Sequence, residues 1–111
     1  MASNIDWYGA GFDEAVRRCR DESERFDIIN NLVDDISMED TRRWLDGVID
    51  GAEREGRSVL GLRLERPQFN EFGGMNSPPN GGEYRGVKTV RVGFEIPARV
   101  EVAIAAAPPK K

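Results

Sequence analysis

The sequence predicts an α+β fold, in which an N-terminal αα-hairpin packs on a small antiparallel β-sheet of three or more strands. In the first half of the chain, apolar residues recur every three or four positions, which is the spacing of an amphipathic helix. In the second half, apolar and polar residues alternate, as they do in half-buried strands. The length of 111 residues fits one domain with one modest core. We assign residues 1–107 to this domain and residues 108–111 to a disordered tail.

The first predicted helix covers residues 12–35. Ser23 interrupts its apolar stripe, so the segment is either one long helix or two helices with a bend near Asp27. We expect one helix. The stripe consists of Phe12, Val16, Cys19, Phe26, Ile29, Val33 and Ile36.

The second predicted helix covers residues 38–55. Ser37 is a good N-cap, because its hydroxyl can accept a free backbone N–H, and the acidic residues Glu39 and Asp40 favour the positive end of the helix dipole. Gly56 is well placed to end the helix. We expect Trp44 to be buried between the helices and the sheet. The apolar stripe is Met38, Thr41, Trp44, Leu45, Val48, Ile49 and Ala52.

Three strands are predicted, at about residues 58–66, 87–96 and 99–106. Each has one apolar face made by its even-numbered residues. The core-facing residues are expected to be Leu60, Leu62 and Leu64 in the first strand, Val90, Val92, Phe94 and Ile96 in the second, and Ala98, Val100, Val102, Ile104 and Ala106 in the third.

The connection through Pro97 has two interpretations. A three-residue loop that begins at Pro97 would pair Ile96 with Val100 and Phe94 with Val102, which keeps both strands facing the core. The alternative is a single long strand that bends at Pro97. We expect the hairpin.

A sheet of three strands is thin, and its outer face would carry arginines. Arg63, Arg91 and Arg99 are predicted to point away from the core, where they either stay in water or meet a partner. We therefore expect the protein to form a homo-oligomer.

A long segment separates the first two predicted strands. It runs from about Pro67 to Gly86 and combines glycines and prolines with aromatic side chains. Loops of this length tend to carry function, and aromatic side chains provide contact area. We interpret it as an arm that contacts a partner or ligand, with a loop folded back on its own core, or a disordered segment, as the alternatives. The predicted contact residues are Phe69, Phe72, Met75, Asn76, Tyr84 and Arg85, together with Arg66 and Arg91.

The composition offers little for catalysis or metal binding. Histidine is absent, which removes the commonest general base and metal ligand, and the single cysteine, Cys19, leaves no zinc site and no internal disulfide. Glycines 9 and 11 lie near a predicted helix start, but neither a dinucleotide fingerprint nor a P-loop lysine accompanies them. We predict no enzyme activity, no cofactor and no metal.

No window approaches the ~20 apolar residues of a membrane span, and the first residues lack the pattern of a secretory signal. We therefore expect a cytoplasmic protein that does not bind membranes.

Charge divides along the chain. Residues 1–56 hold 15 acidic and 7 basic residues, a net charge of −8, whereas residues 57–111 hold 5 acidic and 9 basic residues, a net charge of +4. An acidic surface and a basic surface can each attract an oppositely charged partner. Solvated helix and strand faces are the simpler explanation of this division.

Three functions fit these observations. The first is a non-enzymatic protein-binding module, such as a small inhibitor or adaptor encoded by a phage or mobile element and acting on a host protein. The second is an oligomeric binding protein that holds a nucleotide-like anion between Arg66, Arg85 or Arg91 and the aromatics of the long segment. The third is nucleic-acid binding through the basic sheet, which the acidic helices and a pI of about 4.9 disfavour. We favour the first.

Overall fold

A computed structural model of the chain describes residues 6–31, 38–64, 82–91 and 99–108. In these segments two helices pack against each other and on a five-stranded mixed sheet, so the predicted α+β class with an N-terminal helical pair is confirmed. The elements are α1 (Trp7–Asp21), β1 (Phe26–Asn31), α2 (Met38–Arg54), β2 (Val59–Leu64), β3 (Gly82–Tyr84), β4 (Val87–Arg91) and β5 (Arg99–Ile104).

Helix α1 begins five residues earlier than the sequence predicted. Asp6 is its N-cap, and the Asp6 Oδ1 accepts a hydrogen bond from the Gly9 backbone N–H at 3.0 Å. Gly9 and Gly11 therefore lie inside the helix and do not precede it. Because the carboxylate of Asp6 already occupies the first turn, this end of α1 does not offer an open phosphate site.

The prediction of one helix over residues 12–35 is wrong, because α1 ends at Asp21 and β1 follows. In β1, Phe26 and Ile28 are buried and Ile29 is exposed, which is the alternation of a strand. The apolar residues of this segment fit both periods, since Phe26 and Ile29 are three apart while Phe26 and Ile28 are two apart. The helical pattern was therefore ambiguous here.

Helix α2 agrees with its prediction to within one residue at its end. Its predicted stripe from Thr41 to Ala52 is buried, including Trp44. The helix ends in a Schellman motif, in which the Arg57 N–H donates to the Ala52 carbonyl and the Gly56 N–H donates to the Glu53 carbonyl. Gly56 adopts a φ of +74°, which the motif requires.

The two helices approach each other closely through glycine. A Cβ added at Gly47 would meet the Tyr8 carbonyl oxygen and would lie 2.8 Å from the Phe12 nitrogen. A Cβ added at Gly11 would meet the Trp44 carbonyl oxygen. The inner side of α1 is correspondingly small, with Gly11, Ala15 and Cys19 buried. Phe12, which the sequence placed on the inner stripe, is displaced to the flank and is half-buried.

The sheet has the strand order β1-β5-β2-β4-β3. The pair β2 and β4 is parallel and the other three pairs are antiparallel, so the predicted purely antiparallel sheet is wrong. Strands β1 and β2 run in the same direction with β5 between them, and α2 connects them. This is a split β-α-β unit.

Strand β2 contains an irregularity that changes which side chains face the core. Val59 pairs with Ile104 and Gly61 with Ala103, so Leu60 is an extra residue in the ladder. Val59 packs against the core and Leu60 is exposed, contrary to the predicted even-numbered face. Leu62, beyond the irregularity, is buried as predicted.

Strand β4 has the opposite phase to the prediction. Thr89 is fully buried beside Leu62, and Val90 lies on the other face, where it is half-buried. Residues 87–92 read Val-Lys-Thr-Val-Arg-Val, so the odd-numbered and the even-numbered faces each carry at least one valine. The sequence therefore does not decide which face is buried. Val87, which pairs with Tyr84 across the hairpin, is buried and belongs to the core-facing set.

The predicted pairing of the second and third strands is wrong, because β1 and β2 occupy both sides of β5. Strand β2 lies between β4 and β5, and β5 pairs with β1 on one side and with β2 on the other. Pro97 and the predicted partners Phe94 and Ile96 lie outside the described residues, as do the ends of the first two predicted strands. The predicted inward residues Val100, Val102 and Ile104 are buried, whereas β5 ends at Ile104 and the predicted inward residue Ala106 is exposed.

The core lies between α2 and the helix-facing side of the sheet. Its largest fully buried side chains include Ile28 of β1, Leu45 and Ile49 of α2, Leu62 of β2 and Ile104 of β5. Beyond β5, the Ala107 N–H still donates to the Ser23 carbonyl at 2.9 Å. Residues 109–111 of the predicted tail lie outside the described part of the chain. Among the described residues, neither helix has the length and apolar character needed to cross a bilayer.

Candidate functional site

Two of the eight predicted contact residues have described side chains. Tyr84 ends β3 and Arg85 follows it in the turn to β4. Arg91 ends β4 opposite Leu64, and its side chain is outside the description, as is the whole of Arg66. The others that fall outside are Phe69, Phe72, Met75 and Asn76, so their predicted role in partner contact stays a prediction.

The turn that carries Arg85 has an uncommon backbone. Tyr84 pairs with Val87, which leaves Arg85 and Gly86 as a two-residue loop. Both have positive φ, 54° and 79°, the pattern of the type I′ turn that matches the twist of hairpin strands. A positive φ is costly for a residue with a Cβ, so contacts of the Arg85 side chain must offset it.

Those contacts go to α2. The Arg85 Nη2 donates to the Asp50 Oδ1 at 2.6 Å, and its Nη1 donates to the Asp46 Oδ1 at 3.2 Å. The Tyr84 hydroxyl donates to the same Asp46 oxygen at 2.7 Å, and the Tyr8 hydroxyl of α1 donates to the Asp50 Oδ2 at 2.6 Å. We call these five residues the hairpin clamp. It joins α1, α2 and the β3–β4 hairpin.

The pKa shifts in the hairpin clamp suit contacts among its own residues and do not suit proton transfer. Hydrogen bonding to Asp50 raises the pKa of Tyr8, and burial followed by the bond to Asp46 raises the pKa of Tyr84. The bond from Tyr8, with a further contribution from Arg85, lowers the pKa of Asp50. All three shifts move away from neutrality, whereas a general acid or base works best with a pKa near the working pH.

The described residues do not form a metal or thiolate site. They contain no group of three or more His, Cys, Asp or Glu side chains that could hold a metal ion. Cys19 is buried, and burial raises the pKa of its thiol, which disfavours the reactive thiolate.

A second candidate surface is the face of the sheet opposite the helices, which we call the outer sheet face. Its centre is an ion triad on three neighbouring strands. The Arg63 Nη1 lies 2.9 Å from the Glu101 Oε1 and 3.7 Å from the Asp27 Oδ2. Glu101 is only 8% exposed, and the ion pair with Arg63 offsets part of the cost of burying its carboxylate.

One exposed apolar side chain lies beside the triad, and another lies at the irregularity of β2. Ile29, which pairs with Glu101 on the edge strand β1, is 44% exposed. Leu60, the extra residue of β2, is 45% exposed. They are two of the three exposed large hydrophobic residues in the described ranges, and the third is Tyr8 of the hairpin clamp. The outer sheet face thus presents the apolar side chain of Ile29 beside a charge cluster in which Arg63 is paired with two carboxylates.

Sequence reasoning missed most of this geometry. Asp46 and Asp50 are four apart on a helix, a spacing that puts both carboxylates on one face. Nothing local links them to Arg85, which is at least 35 residues away. Ile29 was assigned to a buried helical stripe, so its exposure on a strand was not expected.

The comparisons with known proteins do not assign the chain to a family. No protein-family model, curated protein or solved structure matches this chain.

Proposed function

We propose that this protein is a non-enzymatic protein-binding module that presents its outer sheet face to another protein. One observation carries the proposal, namely the exposure of Ile29 beside the triad in which Arg63 is paired with Glu101 and Asp27. Apolar side chains with a central arginine are the composition found at the cores of protein interfaces. An inhibitor or adaptor of the kind that phages and mobile elements encode would need only such a surface.

The same face also suits a second copy of the chain. β1 is an edge strand in the described sheet, and it keeps an unbroken register with β5 over six residues. A long regular edge with an exposed isoleucine invites pairing or packing with another chain. Homo-oligomerisation through this region is therefore part of the proposal.

The alternatives have less support. Arg85, assigned to the anion site, pairs with Asp46 and Asp50, and Arg63 of the basic sheet pairs with Glu101 and Asp27. An arginine whose charge is neutralised inside the protein offers less attraction to a phosphate. The two arginines of these alternative sites whose side chains are described are therefore engaged.

The test compares variants of the outer sheet face with a matched change elsewhere. Ile29→Glu places a carboxylate on this face, Leu60→Glu places one at the exposed irregularity of β2, and Ala10→Glu makes the same kind of change at an exposed position of α1. Proteins captured by the wild-type chain, and its mass by light scattering, are compared for all four proteins. Urea unfolding checks that each variant is folded.

We expect Ala10→Glu to keep the captured partners and the oligomeric mass of the wild type. Loss of an apolar anchor costs about 2 kcal/mol, so the sheet variants should bind those partners about thirty-fold more weakly. Equal capture and equal mass for all four folded proteins would refute the proposed interface.

A further inference from the structure

A groove lies on the flank of the helical layer, away from the outer sheet face. It runs along α1 beside the last turn of α2 and has a volume of about 400 Å³. Phe12 and Val16 form its floor, and both are half-buried. They are accessible because the small residues of α1 occupy the contact with α2. We call this feature the flank groove.

The floor of the flank groove is held in place by its neighbours. The Tyr8 ring stacks on the Phe12 ring with a centroid distance of 6.2 Å and an interplanar angle of 27°. The Arg54 guanidinium lies over the Phe12 ring, 5.7 Å from its centroid. An apolar side chain entering the groove would therefore meet an aromatic surface that is already ordered.

Three arginines surround this floor. Arg20 is bound to Glu55, with Nε to Oε1 at 3.1 Å and Nη2 to Oε2 at 3.3 Å. Arg54 contacts the Phe12 ring, and no carboxylate of the described residues pairs with it. Arg17 is exposed and makes no ion pair or hydrogen bond within the described ranges. Two cations thus remain available in the half of the chain with a net charge of −8.

Acidic residues lie on both sides of Arg17 along the α1 side of the groove. Asp13 and Asp21 also line it, and they are eight residues apart, which is about 12 Å along a helix axis. Arg17 is midway between them. A long polyanion such as nucleic acid would meet like charge at both ends, whereas a short acidic segment would place its carboxylates at the centre.

We infer that the flank groove binds a short acidic segment of a partner protein. An apolar side chain of the segment packs on Phe12 and Val16, and its carboxylates pair with Arg17 and Arg54. The charge pattern selects the ligand, because the free cations are central and the acids are at the ends. This inference concerns a different surface from the proposed interface and does not depend on it.

The test uses random twelve-residue peptides displayed on phage and selected on the full chain, with soluble Arg17→Glu protein as competitor to remove peptides that bind elsewhere. The best selected peptide is then synthesised with a fluorophore, and its affinity is measured by polarisation for the wild type, Arg17→Glu and Arg54→Glu. Arg25→Glu is the matched control, since Arg25 is exposed, lies outside the groove and undergoes the same change of charge.

We expect the selected peptides to combine Asp or Glu with a large apolar residue. Their affinity should fall at least tenfold in Arg17→Glu and Arg54→Glu, stay within twofold in Arg25→Glu, and weaken as salt rises. Selection of no peptide, selection of peptides without acids, or equal affinity for the wild type and Arg54→Glu would overturn the inference. A twelve-nucleotide single strand that binds more tightly than the peptide and depends on Arg17 would also overturn it, in favour of a polyanion site.

Discussion

The guanidinium of Arg57 lies over the ring of Phe26, 5.4 Å from its centroid. Arg57 follows α2 and Phe26 begins β1, so this contact joins two elements that are distant in sequence. The same guanidinium donates to the carbonyls of Cys19 and Glu22, at 3.0 and 2.8 Å. A cation that binds the last carbonyls of α1 stabilises the negative end of that helix. Arg57 thus helps to fix the place where α1 stops.

Replacing Arg57 by lysine should therefore destabilise the fold although it keeps the charge. Arg57 is 4% exposed and also donates to the carbonyls of Glu24 and Ala105. A lysine ammonium cannot reproduce the planar set of donors, and unsatisfied buried carbonyls are costly. We expect the free energy of unfolding, measured in urea, to fall by on the order of 3 kcal/mol.

The control is Arg25→Lys, at an exposed position three residues before Ile28. It should change the free energy of unfolding by less than about 0.5 kcal/mol. If Arg57→Lys were as small in effect as Arg25→Lys, the interpretation of Arg57 as a stabiliser of the α1 terminus would be wrong.

Arg57 also explains why the break between α1 and β1 could not be predicted. The local pattern around Phe26 fits a helix and a strand equally well, and the group that binds the free α1 carbonyls comes from more than 30 residues later. By contrast, α2 has its signals in place, with acidic residues in the first turn, a seven-residue stripe and Gly56 at its end. Local signals therefore sufficed for α2 and not for α1.

The sheet shows the same limit. Alternation identified the three longer strands of the second half. Which residues of β4 face the core is set by the hairpin pair of Val87 and Tyr84, which alternation does not reveal. The parallel pairing of β2 with β4 depends on a connection through residues 65–81, for which sequence alternation says nothing about direction. At the candidate sites, Tyr84 and Arg85 were identified from composition, whereas their partners on α2 are set by tertiary packing.

Gly47 gives a second prediction, about the packing of the two helices. In an exposed helix, Gly→Ala stabilises by about 1 kcal/mol. At Gly47 a methyl group would instead collide with the backbone of α1 at Tyr8 and Phe12. We expect Gly47→Ala to lower the free energy of unfolding in urea by about 1–3 kcal/mol, as for overpacked sites. Glu53→Ala, on the exposed side of the same helix, should stay within about 0.5 kcal/mol of wild type. A Gly47→Ala protein as stable as wild type would contradict the close helix contact.

Tyr84 gives a third prediction, which differs from what the sequence suggested. As part of an exposed contact arm, its truncation would leave stability unchanged. Its ring instead packs against the core, and its hydroxyl donates to Asp46. We expect Tyr84→Phe to cost about 1 kcal/mol through the lost hydrogen bond, and Tyr84→Ala to cost about 2 kcal/mol or more through lost burial. Thermal and urea unfolding of the two variants measure this, and unchanged stability in Tyr84→Ala would restore the contact-arm interpretation for this residue.

The hairpin clamp also predicts how stability depends on pH. Burial and the bond to Asp46 raise the pKa of Tyr84, so its contribution is complete below about pH 10, the ordinary tyrosine value, and is lost as pH rises above it. Tyr8, whose pKa the bond to Asp50 raises, acts in the same direction. The bond from Tyr8 lowers the pKa of Asp50, so its contribution is present above about pH 3.9, the ordinary value, and is lost as pH falls below it.

The free energy of unfolding in urea, measured from pH 3 to pH 11, should therefore decline at both ends of the range through these groups. Tyr84→Phe removes one hydroxyl that titrates at alkaline pH. The decline in the free energy of unfolding above about pH 10 should become shallower, with the contribution of Tyr8 remaining. Asp50→Asn should flatten the decline below about pH 3.9, because the amide does not titrate. Glu53→Gln, at an exposed position of α2, is the control and should leave both limbs as in the wild type. Alkaline limbs of equal slope in Tyr84→Phe and wild type would show that the tyrosine hydroxyl does not stabilise the fold through Asp46.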